Sequence, residues 1–404
     1  VLALDREPPF TDKSLARLLE SERTLAKRQA LVQHANTRAK DTFSVARAMV
    51  QKLRECEQEF IAHHTGGLLP ALGLTLTEPA DALAEATLQS TEDAFVELDR
   101  WALKRADVQT SRRALMWEDR VHSLAHTSAM SLVALPDRVA SCLRWTQRCG
   151  LTLDHTLLQD HVGPSQADAE GVALECADRV RIVGHENHSM RGTIAIAHTV
   201  GQGIALTRGW PSVLPRARWG VDQVGPLVIG ALVQQLCLTR EFVHREWAID
   251  RAQTEALTRA SLHCWMYQLR VMAAQAVFAH DALQQKTQLA ERYRERMIRA
   301  IACADEPAWT AHHAANILTD RAEADLWAQL FAVWMFAALR DEFEEDFFRN
   351  PKCGERLGQW MDAIRLMGVE AWFRAVSLCP AEQPVLSVLT TALVARVSEK
   401  AHAL

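Results

Sequence analysis

No C-x-x-C pair, Walker loop, G-x-G-x-x-G turn or G-x-S-x-G elbow occurs anywhere in the 404 residues. The chain therefore lacks the dithiol of a redox centre, the backbone cradle of a nucleotide site and the strained serine of an α/β-hydrolase. Nine cysteines, an odd number, are scattered singly through apolar patterns, which reads as reduced, buried, small hydrophobes. Charge of one sign is also scarce: 45 basic and 50 acidic residues leave a net charge of -5. With no long run of either sign, a nucleic-acid partner is disfavoured. No uninterrupted apolar run approaches the roughly 20 residues that span a bilayer. No charged-then-apolar leader opens the sequence, although it begins at Val1 rather than Met and a lost leader stays open. The expectation is a cytoplasmic chain with no membrane partner.

What is present is an ordinary globular composition, 49% hydrophobic and 24% charged, in a chain long enough to bury a large core without staples. Apolar residues recur at helical spacing through 11–60, 82–109, 111–130, 136–150, 224–304 and 320–349, and this predicts a mainly α protein. Pro351 and Gly354 are expected to end the last of these. Residues 172–196 differ, because Val172-Ala173-Leu174, Val180-Arg181-Ile182-Val183 and Thr193-Ile194-Ala195-Ile196 carry β-branched side chains in short alternation. They predict a small β-sheet.

One pentapeptide carries the chemical argument. Zinc peptidases of the H-E-x-x-H type place two histidines four apart on one helix face, with the glutamate between them as general base. In His198-Thr199-Val200-Gly201-Gln202 the first histidine is present, threonine stands at the base and glutamine at the second histidine. A single imidazole with an amide is a poor zinc site.

The run Arg191 to Ala205 resembles the thimet oligopeptidase and oligoendopeptidase F family of zinc peptidases, with Gly201 in register with a glycine of its motif. The resemblance continues in Leu269 to His280, in Ala324-Asp325-Leu326-Trp327-Ala328-Gln329-Leu330-Phe331-Ala332 and in Asn350-Pro351-Lys352-Cys353-Gly354-Glu355-Arg356. It implies a two-lobed, gluzincin-like helical body with a deep central cleft. The lobes would be an N-terminal helical one over 1–150 and a degenerate catalytic one over 151–404, in one continuous body. It also implies that Gly225 replaces the third ligand, a glutamate. The tyrosines that the family uses near its C-terminal helices are missing, since only Tyr267 and Tyr293 occur. A degenerate member of this kind is expected to hold no metal and no cofactor.

The catalytic candidates are Asp119, His185 and His198. In Trp117-Glu118-Asp119-Arg120 the carboxylate of Asp119 is either a proton acceptor beside a cleft or a surface charge beside a core tryptophan. His185-Glu186-Asn187-His188 is either a polar loop or a source of acid, base or anion donor. Arg216 and Arg218 lie in the loop between the old ligand positions, where they either clamp an anionic group or only solubilise. Trp117, Glu186, His188, Gln202, Arg216, Arg218 and His312 complete the expected substrate-binding set. The expected function is that of a metal-independent enzyme acting on a small or carrier-protein-bound amino-acid-like substrate. Its most specific form is the aziridine-forming type of azinomycin-like biosynthesis. The alternative is a non-catalytic pseudopeptidase that holds a partner protein.

Overall fold

The computed structural model describes residues 22, 24, 26–34, 52, 79–106, 119–120, 123–124, 144–151, 158–163, 172–176, 179–185, 190–208, 224–283, 288–304, 322–380 and 382–402. The protein is mainly helical. Helix α1 (Ala80–Arg105) starts directly after extended Pro79, with Asp81 in its first turn and Lys104 and Arg105 in its last. These charges oppose the partial charges of the helix ends. Leu83, Leu88, Phe95 and Leu98 recur at helical spacing and face the core.

Three strands follow: β1 (Leu158–Gly163), β2 (Val172–Cys176) and β3 (Arg179–His185), in the order β1-β3-β2. β1 runs parallel to β3, Leu158 opposite Val180 and Gly163 opposite His185. β2 pairs antiparallel with β3, Cys176 opposite Arg179. The stretch Thr193–Ile196, expected to be a strand, instead belongs to helix α2 (Met190–Thr207). Ile194, Ala197, Val200 and Ile204 are all fully buried. Burying one apolar helix face outweighs the modest β preference of isoleucine and threonine.

Helix α3 (Val224–Cys237) is buried at every one of its 14 residues, and α2 and α7 (Ala322–Phe343) pack on it. It ends where Thr239 caps α4 (Arg240–Trp247) by accepting from the Phe242 amide at 3.3 Å. The chain turns by 79° there. Helix α5 (Arg251–Leu283) packs against α1, α6 (Leu289–Ile301) and α7. Among the described residues α7 is the single helix long and apolar enough to cross a membrane, and 61% of that window is buried inside the protein, as in a core helix.

Pro351 and Gly354 do more than stop a helix. After α7 and a short 3-10 turn (Phe347–Arg349), Asn350 caps α8 (Pro351–Met367) by accepting from the Lys352 amide at 3.1 Å. Pro351 then sits in the first turn, where its missing N–H costs nothing. Gly354 donates to the Cys149 carbonyl at 2.8 Å, and a side chain there would collide with the Cys149 carbonyl and the Leu151 amide. Helices α9 (Val369–Ser377) and α10 (Val385–His402) complete the chain, α10 packing on α7 and α1.

Candidate functional site

His198 and Gln202 lie one turn apart on α2, which places both on the same helix face. Opposite them on α3 is Gly230. A methyl group there would sit 2.7 Å from the His198 carbonyl oxygen, 2.9 Å from Gln202 Cγ and 3.1 Å from His198 Cδ2. The approach is reciprocal, because a methyl at Gly201 would meet the Ile229 carbonyl oxygen at 2.6 Å and Gly230 Cα at 2.7 Å. Two glycines thus let the helix backbones touch directly below the histidine. His198 and Gln202 keep partial exposure, whereas Thr199 is buried and its hydroxyl donates to the Ala195 carbonyl at 3.0 Å. That bond turns the Thr199 side chain back on its own helix.

One turn beyond Gly230, Gln234 begins a buried chain of amides. Its Oε1 accepts from Gln329 Nε2 at 2.8 Å, and Gln329 Oε1 accepts from Trp265 Nε1 at 2.8 Å. The chain ties α3, α7 and α5 together with the polar groups satisfied, as a buried polar cluster requires.

A zinc ion does not fit the donors of this helix pair. The α2 sequence contains one histidine and no Asp, Glu or Cys, and α3 contains no acidic residue and no histidine. Whichever residue of α3 is aligned with the family's third ligand, Gly225 at the helix start or a neighbour, no carboxylate is available from it. A catalytic zinc needs about three protein ligands. Among the described residues no group of three His, Cys, Asp or Glu side chains is placed to hold a metal. Tyr267 lies on α5 against the core, and Tyr293 is a fully buried α6 side chain, 4.8 Å from the Phe278 ring.

Asp119 belongs to a buried ionic network that sequence reasoning did not foresee. Its Oδ1 accepts from Arg28 Nη2 at 2.7 Å, and both side chains are nearly sealed from solvent. The adjacent Arg120 pairs with Asp99 of α1 and donates through Nη2 to the Ala302 carbonyl at 3.1 Å. Burial draws the Arg120 guanidinium down to about 10, so it stays charged at neutral pH. His263 of α5 is fully buried, 3.4 Å from the same Asp99. Burial, and after it the Arg120 charge, lowers its imidazole to about 3. Asp119 and Arg120 therefore join the 26–34 segment to α1 and to the end of α6. No local signal in Trp117-Glu118-Asp119-Arg120 distinguishes these partners from solvent, because each pairing spans tens of residues.

His185 is the last residue of β3, opposite Gly163. Trp117, Glu186, His188, Arg216, Arg218 and His312 lie outside the described residues, as does most of the expected helical stretch over 11–60. Arg208, at the end of α2, bonds Asp362 of α8 at 3.0 Å.

No family model matches the sequence, and no curated protein matches it at a significant level. The architecture does have solved counterparts. A protein assigned as an oligoendopeptidase F from Bacillus anthracis str. Ames superposes with a TM-score of 0.60 at 11% identity, over 97% of this chain and 70% of that one. The fold resembles that of oligoendopeptidase F-like peptidases. A PZ peptidase A solved with an inhibitor is similar too, with a TM-score of 0.58 at 12% identity, over 96% of this chain and 71% of that one. Identity this low shows the fold alone, and function has to be argued from side chains.

Proposed function

We propose that this chain is a degenerate, metal-independent member of the peptidase family whose fold it resembles. In this reading it is an enzyme of bacterial specialised metabolism acting on a small or carrier-protein-bound amino-acid-like substrate. The observation that carries the proposal is the α2–α3 pair, which supplies one imidazole and no carboxylate. The substrate would occupy a central cleft between lobes at 1–150 and 151–404.

Imidazole is the side chain whose ordinary proton affinity suits transfer near neutral pH. In the specific form of the proposal, an azinomycin-type aziridine closure, a substrate amine attacks the neighbouring carbon that bears a sulfate ester. The C–N bond forms as the C–O bond breaks, sulfate leaves with the electron pair, and His198 takes the proton from the ring nitrogen. Gln202, on the same face as His198, donates to the substrate. Arg216 and Arg218 receive the sulfate through forked hydrogen bonds. His185, Glu186, His188, Trp117 and His312 line the approach. Asp119, already tied to Arg28, holds the fold in this reading and leaves the proton to His198.

The test is the zinc content of the purified full chain, together with sulfate release from a β-amino sulfate ester of an amino acid, free and carrier-bound. Substoichiometric zinc and sulfate release that collapses in His198→Ala are expected. Stoichiometric zinc with peptide cleavage overturns the proposal. Absence of release from both esters, with tight capture of a partner chain, overturns it in favour of the scaffold reading.

A further inference from the structure

We infer that Gly230 is a positioning residue for His198: the bare backbone of α3 at this point sets where the imidazole lies. The inference rests on the proposed role of His198, and its test does not use turnover. Three atoms crowd the place a Gly230 side chain would take, namely the His198 carbonyl oxygen at 2.7 Å, Gln202 Cγ at 2.9 Å and His198 Cδ2 at 3.1 Å. The first is helix backbone and cannot move without parting α2 from α3. The other two belong to the two polar side chains on this face of α2, and they yield more easily. A methyl group at 230 therefore presses on the α2 backbone at His198 as well as on the ring and the amide of the candidate site.

This contact also accounts for how the helix pair stays closed. Here Gly201 lies on Ile229 and Gly230 while Gly230 lies under His198 and Gln202, so direct packing does the joining and fixes the side chains in the same contact. The geometry is unavailable to any residue with a Cβ at 230 unless the α2 backbone at His198 gives way together with the ring.

The experiment records imidazole C–H resonances of the full chain carrying labelled histidine, with the His198 signals identified by their loss in His198→Ala. Gly230→Ala is expected to move the His198 resonances while those of His263, which contacts Asp99 and Phe95, stay in place. Its melting temperature is expected to fall, and to fall somewhat less when His198→Ala is present, because trimming the ring removes one of the three close contacts while the backbone contact stays. Unmoved His198 resonances, or an equal loss of melting temperature with and without the ring, overturn the inference. Should Gly230→Ala fold too poorly for spectra, the melting comparison between the two backgrounds decides alone.

Discussion

Arg28 Nη2 donates to Asp119 Oδ1 across 2.7 Å, and the two side chains retain 6% and 4% of their exposure. Removing one member of a buried pair strands the other charge, which costs about 3–5 kcal/mol, whereas replacing both by apolar residues of similar volume is near neutral. Asp119→Ala should therefore lower the denaturant midpoint severely, and Arg28→Met with Asp119→Leu should recover most of the loss. Equal midpoints for Asp119→Ala and the unaltered protein would show that the pair does not form.

His263 makes the protein acid-sensitive. In the unfolded chain its imidazole takes up a proton near 6.5; in the folded protein it does so only near 3, because burial and then Arg120 disfavour the charge. Asp99 helps it little, being matched already by Arg120. Between these values the unfolded state binds more protons. The contribution is thus fully present above about pH 6.5 and is lost as pH falls towards 3, by at most about 1.4 kcal/mol per pH unit. Denaturant midpoints at pH 7.5 and pH 5 should differ less in His263→Gln than in the unaltered protein. Parallel losses would assign the acid sensitivity to other groups.

Arg270 is a clamp built from one side chain. It donates to the Ala300 carbonyl at 2.6 Å, the Leu88 carbonyl and Thr91 Oγ1 at 2.9 Å, and Glu92 Oε2 at 2.6 Å. Lysine keeps the charge but loses the planar fork that reaches α1 and α6 together. Arg270→Lys should cost about 2–4 kcal/mol and speed amide hydrogen exchange in the last turn of α6. A loss below about 1 kcal/mol would contradict the clamp.

The sequence shows the candidate site far better than it shows the buried ionic network. His198 and Gln202 are four apart in an apolar pattern, so a helix and a shared face follow from local spacing. The sheet is legible at Val172 to Val183 for the same reason. Local spacing misleads at Thr193 to Ile196, where tertiary burial selects a helix. It also misleads at Pro351, which a breaker rule reads as a stop although Asn350 and Pro351 begin α8. Arg120 with Asp99, and Gly230 beneath His198, join residues that only the folded chain brings together. A glycine within an apolar helix carries no mark of the ring it will touch.

Because His198 and Gln202 share the α2 face turned to Gly230, Gln202→His would place two imidazoles at the i, i+4 spacing that binds zinc. With no carboxylate available from α3, the ion would draw its remaining ligands from water. Binding would be weak but specific to the folded state, and it would stabilise the variant by about 2.7 kcal/mol when zinc is present at 100 times its Kd. The melting temperature of Gln202→His should therefore climb with added zinc and return with a chelator, while that of the unaltered protein stays level. The Cγ of residue 202 already lies close to Gly230, so the new ring has to share that space with His198. A variant that answers zinc no more than the unaltered protein would mean that the two side chains do not converge, and the geometry drawn for His198 would fall with it.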